Sequence, residues 1–165
     1  MKKSVIAILS TLLVAIILVS MVGCMKVTMT EKSILSRLEK EEYTVMMGHS
    51  MIPMSDPVMA GIKLDKTFYA TKIDSTTHAE HGNIASAVWE VAVYFMGDSA
   101  SAKKLEDYFK ELAKQQEQIY NQLIEQIESG NFDSTIQMPK RYIVYRYDDV
   151  VVFGDWESVT IVRSY

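Results

Sequence analysis

The sequence predicts an α+β domain: a mostly antiparallel sheet of about five strands, with one long helix and a shorter N-terminal helix packed on one face. Three observations carry that expectation. Apolar residues recur at three- and four-residue steps from Ala102 to Ile127, the spacing of a long amphipathic helix. Short segments rich in Val, Ile, Phe and Tyr lie on both sides of it, and such composition favours strands. These segments come in runs, three before the helix and two after it, which favours hairpin pairing over a parallel sheet.

Taken in order, residues 26–30 form a short tether. Ile34, Leu35 and Leu38, set among Glu31, Lys32, Arg37, Glu39 and Lys40, give a first helix with Thr30 as its N-cap and an end near Glu42. Residues 43–47 have strand composition and stop at Gly48. Pro53, Asp56, Pro57 and Gly61 then mark an irregular stretch up to Ile62, long enough to be functional or mobile. A second strand is expected over 66–73 and a third over 86–96. In the third, Trp89, Val91, Val93 and Phe95 are apolar while Val88, Glu90, Ala92 and Tyr94 are more mixed. That alternation predicts one core-facing and one partly wetted surface.

Gly97-Asp98-Ser99 ends the third strand and opens the long helix, expected over residues 99–129 and stopped by Gly130-Asn131. At about 1.5 Å per residue it runs to some 45 Å, longer than a small sheet can cover. Gln115-Gln116 interrupts its apolar stripe, so a bend or an overhanging end is expected. Residues 141–147 and 150–153 flank Asp148-Asp149 as a hairpin whose turn lacks glycine. Asp155 can cap a short terminal helix through Trp156, Glu157 and Ser158, although Val159, Thr160, Ile161 and Val162 equally favour a strand. The short helix is the chosen reading.

The beginning of the chain has a different character. Lys2 and Lys3 precede an uncharged run from Ser4 to Met25, closed by Lys26. The run is long enough for a secretory signal or for a spanning helix, which needs about 20 apolar residues. Its edge, Met21-Val22-Gly23-Cys24, resembles the lipobox of bacterial lipoproteins. The resemblance implies cleavage behind Gly23 and a diacylglyceryl group on Cys24; an uncleaved anchor is the alternative. Met21 and Val22 depart from the family's usual start, a leucine followed by a small residue. Either way, the basic flank stays inside and everything after Lys26 is delivered outward. The expected organisation is a signal peptide or membrane anchor over 1–23, lipid attachment and tether over 24–30, and a single extracytoplasmic α+β domain over 31–165. Cys24 is the only cysteine, so the exported domain has no internal disulfide and relies on packing.

The chain carries 17 basic and 21 acidic residues. Loss of Lys2 and Lys3 with the leader leaves 15 against 21, a formal charge of −6. This argues against nucleic acid, whose phosphates require neutralising cations.

Four local features bear on chemistry. Gly48-His49-Ser50-Met51 looks like the start of a nucleophile elbow, but Ile52 stands where a second glycine is needed and Pro53 follows at once. Ser50 reads as a turn serine. His78, Glu80 and His81, with His49 as the only other histidine, are suitable zinc ligands, yet their spacing is not that of a helical zinc motif, and solvated loop histidines are the simpler reading. Met46, Met47, Met51, Met54 and Met59 surround His49. Thioethers and imidazole suit copper, though methionines filling a long irregular loop explain the cluster more simply. Tyr142, Tyr145, Tyr147, Asp148, Asp149, Asp155 and Trp156 gather around the last hairpin. Tyr145, Tyr147 and Trp156 are candidates for a contact surface, because such rings offer a flat apolar face with a polar edge; cross-strand packing is the competing use. The sequence therefore predicts a membrane-anchored extracytoplasmic domain that binds a protein or small-ligand partner, not an enzyme, with no cofactor. Copper or zinc handling is the alternative.

Overall fold

A computed structural model describes residues 29–74, 87–130 and 140–164. In chain order the elements are α1 (Glu31–Lys40), β1 (Thr44–Met47), a 3-10 turn at Pro57–Met59, β2 (Leu64–Asp74), β3 (Ala87–Met96), α2 (Ser99–Glu128), β4 (Tyr142–Tyr147), β5 (Val150–Asp155) and α3 (Trp156–Arg163). The five strands pair antiparallel in the order β1-β2-β3-β5-β4, so the α+β class holds. The last element is a helix. Asp155 accepts the Ser158 N–H at 3.0 Å, which satisfies an end group that the first turn leaves open, and Val159 and Val162 are both fully buried three residues apart.

The placement of both helices on one face is corrected. Val91, Ala92, Val93 and Tyr94 of β3 are all inaccessible to solvent, so this strand is covered on both sides. On one face Ile34 and Leu38 of α1 and Val159 and Val162 of α3 pack against Phe68, Ala70, Val91, Val93 and Val152. On the other, Ala102, Leu105 and Phe109 of α2 meet Ala92, Tyr94, Met96, Val151 and Phe153. Each buried Val, Leu, Ile, Phe or Met among them contributes about 1.5–3 kcal/mol. The mixed face of β3 is covered because Tyr94 has partners for its polar tip. Its hydroxyl lies 2.8 Å from Ser50 Oγ and accepts the Met51 N–H at 3.2 Å, which removes the cost of burying it.

Helix α2 starts at Asp98, whose carboxylate accepts the Ser101 N–H at 2.7 Å. Hydrogen bonds from Ser101 and then from Lys63 hold that carboxyl down at about 2. Ala113 is the last α2 residue packed against the core, while Ile119 and Ile127 are exposed, so the C-terminal half overhangs the sheet. The β4–β5 hairpin manages without glycine because Asp148 adopts a left-handed φ of 50°, a region that short polar side chains tolerate. Gly154 on β5 is required for a different reason: a Cβ there would sit 2.7 Å from Val91 Cα on β3. Among the described residues no helix is long and apolar enough to cross a membrane, and the leader with Cys24 lies outside them.

Candidate functional site

A groove of about 850 Å³ opens between α2 and β4. Its helical wall is Lys110, Ala113, Lys114 and Glu117, a spacing of three, four and seven residues that puts them on one face. The opposite wall is Arg141, Tyr142, Ile143 and Val144, and Trp156 closes one end. Successive side chains of a strand point to opposite faces. Three consecutive β4 residues, Tyr142, Ile143 and Val144, line the groove together with Arg141 just before them, so it runs along the edge of the sheet instead of across a face. Trp156 is held there because it opens α3 directly after β5, and its N–H donates to the Arg141 carbonyl at 3.2 Å. Trp156 remains 59% exposed.

The rim is cationic although the protein is acidic. Lys110 pairs with Glu106 at 2.6 Å, and Arg146 reaches the same carboxylate at 2.7 Å. Hydrogen bonding from Lys110, and then from Arg146, keeps the Glu106 carboxyl below its ordinary range. Lys114 and Arg141 have no carboxylate partner among the described residues. Arg141 lies 4.8 Å from the Tyr120 ring centroid, a stacking contact that leaves its N–H edges available. Glu117 is the one acid in the lining among the described residues. Tyr142 donates its hydroxyl to Glu90, as Tyr69 does. Burial first, and then the Glu90 carboxylate, pushes both phenols well above their ordinary value.

A smaller cavity of about 170 Å³ shares Arg141 and Trp156 with the groove and adds Trp89, Lys140, Asp155 and Glu157. Lys140 Nζ sits 4.0 Å from the Trp89 centroid. It is screened from solvent and has no hydrogen-bond partner among the described residues; burial lowers its pKa. Trp89 donates its indole N–H to Glu157. Asp155 accepts from Glu90 N at 2.6 Å and from Ser158 Oγ at 2.7 Å, so its role is to join β3, β5 and α3.

Of the aromatic residues singled out from the sequence, Trp156 and Tyr142 reach the groove. Tyr145 and Tyr147 are half-buried against the opposite face of the sheet, and Arg163 stacks 4.2 Å from the Tyr145 centroid. Ser50 is bonded to Tyr94 and accepts the Ile52 N–H. His49 Nδ1 lies 3.1 Å from the Met47 carbonyl at the surface. Met46 and Met47 are adjacent in β1, which directs them to opposite faces. Met51 packs beside buried Met59 in the α2-side core, and Met54 is exposed. His78, Glu80 and His81 lie outside the described residues, and among the latter no three His, Cys, Asp or Glu side chains converge as a metal site.

The helical wall and Lys140 are the parts that sequence reasoning missed. Ala113 offered a signal, as the small member of an apolar stripe flanked by Lys110, Lys114 and Glu117. Nothing in the sequence alone indicated that this turn of α2 faces β4. Among the described residues the lining is an apolar floor with cations along one rim. No protein-family model, curated protein or solved structure matches the chain.

Proposed function

We propose that this chain is an exported, membrane-anchored domain that captures an anionic ligand with an apolar portion in the groove between α2 and β4. The groove itself carries the reading. It joins Ala113, Ile143, Val144 and Trp156 to Lys114 and Arg141, cations without a carboxylate partner among the described residues, and ligand sites combine a mostly apolar lining with a few placed polar groups. The location follows from the uncharged run after Lys2 and Lys3 and from Gly23-Cys24 at its end. A diacylglyceryl group on Cys24 would supply the two chains that stable attachment needs, leaving residues 25–30 as a tether.

Two measurements test the two halves. The anionic dye anilinonaphthalene sulfonate should bind the full-length protein in detergent with one-to-one stoichiometry, quench Trp156, and lose affinity about tenfold or more in Lys114→Glu/Arg141→Glu. Dye binding that is indifferent to these changes would refute the groove. Intact mass of membrane-extracted protein should show a lipidated species that begins at Cys24 and disappears in Cys24→Ala; full-length protein dissolved in the cytosol would refute the anchoring.

A further inference from the structure

We infer that the groove's ligand is an extended acidic peptide, which adds to β4 as a sixth strand of the sheet. This rests on the binding reading above and names its ligand class. Tyr147 and Val150 close the two-residue hairpin, and closing pairs of such hairpins exchange backbone hydrogen bonds. Residues 143, 145 and 147 therefore turn their backbone groups toward β5. The same parity appears at the far end, where the Arg141 carbonyl accepts from Trp156 N–H. The N–H and C=O groups of Tyr142, Val144 and Arg146 must point away from the sheet. None of them has a backbone partner among the described residues.

Such an open row is what an added strand pairs with, and the groove lies alongside it. Arg141 and the three lining residues of β4 span about 13 Å at roughly 3.3 Å each, and one α2 face runs alongside them. Alternate side chains of an incoming strand would meet Ala113 and Lys114 on one side, and Ile143 and Trp156 on the other. Charge selects the occupant. A second copy paired antiparallel through β4 would bring the same cationic rim, Lys114 and Arg141, to the seam a second time, and like charges brought together are unfavourable. An acidic segment would instead supply carboxylates to Lys114 and Arg141, which have none among the described residues.

The test uses full-length protein in detergent and blocked, fluorescent peptides of about ten residues that alternate Glu with Val or Lys with Val. The Glu/Val peptide should bind at least about tenfold more tightly than the Lys/Val peptide and lose that margin in Lys114→Glu/Arg141→Glu. N-methylation of alternate amides, made in both registers, should abolish binding in one register only. Amide hydrogen exchange at Tyr142, Val144 and Arg146 should slow when the Glu/Val peptide is bound. If both N-methylated peptides bind as well as the parent while the charge reversals still weaken them, strand addition is wrong and the anion-binding groove stands. Equal binding of acidic and basic peptides, or no binding of either, overturns the acidic-peptide inference, and loss of dye binding to the same sample would distinguish a failed groove. Slow exchange at β4 in a peptide-free dimer would assign the edge to a second copy instead.

Discussion

Phe109 joins the long helix to the sheet through two rings, Phe153 and Tyr94, with Tyr108 of its own helix as a third neighbour. It stacks on Phe153 with centroids 4.2 Å apart and planes 9° from parallel, and it lies 5.3 Å from Tyr94 and 5.8 Å from Tyr108. It is also fully buried. Removing such a ring leaves a cavity that neighbours fill only in part, so Phe109→Ala should cost about 3–5 kcal/mol, measured by urea unfolding. Lys140 predicts the opposite sign. Burial lowers its pKa from 10.5, so in the window just below that value the unfolded chain holds a proton that the folded chain has shed. Stability then rises with pH across that window, while at neutral pH the fold carries the whole penalty of a desolvated ammonium. Lys140→Met should raise the melting temperature at pH 7 and remove the alkaline gain relative to the parent. A lower melting temperature at pH 7 would show that the contact with Trp89 outweighs desolvation.

At the scale of elements, α2 divides into two parts with different mutational costs. Leu105 is inaccessible, whereas Ile119 is 55% exposed on the overhang. Ile119→Glu should change stability by no more than about 0.5 kcal/mol, while Leu105→Ala should cost about 2–5 kcal/mol; chemical denaturation of both variants checks the contrast. The overhang was readable from length and from Gln115-Gln116, and the strands from their β-branched and aromatic runs. Thr30 and Asp155 act as the caps that their positions suggest, each accepting a backbone N–H three residues on, and Asp98 does the same for α2. The layer count was not readable. Ala92 and Tyr94 look like a half-wetted face until Ser50 and Met51 are seen to engage the Tyr94 hydroxyl, and those partners are more than 40 residues away in sequence. The groove was hidden for a similar reason. Trp156 could be nominated from its type, but Lys114 and Ala113 become site residues only through a long-range packing of α2 on β4.

For the molecule as a whole, the tyrosines set the alkaline limit. Tyr43, Tyr69, Tyr94, Tyr108 and Tyr142 all have raised pKa values, with burial the first cause in each. A group whose pKa is raised by folding stabilises the fold fully below its unfolded value and loses that contribution as pH climbs through the folded one. Stability should therefore fall from about pH 10 upward, with tyrosinate absorbance appearing together with loss of secondary structure. Unfolding that leaves tyrosinate absorbance to develop at ordinary pH, ahead of the structural change, would contradict this. The open rim of β4 also has a cost at this scale. An unpaired strand flank can recruit its own kind into filaments, and charged side chains are a common safeguard. Here Arg141 and Arg146 place charge near its two ends, and repulsion between the cationic rims of two copies is screened beyond about 3 Å in 1 M salt. Concentrated protein should accordingly gain thioflavin fluorescence in high salt but not in low salt, and an acidic occupant should suppress that polymerisation.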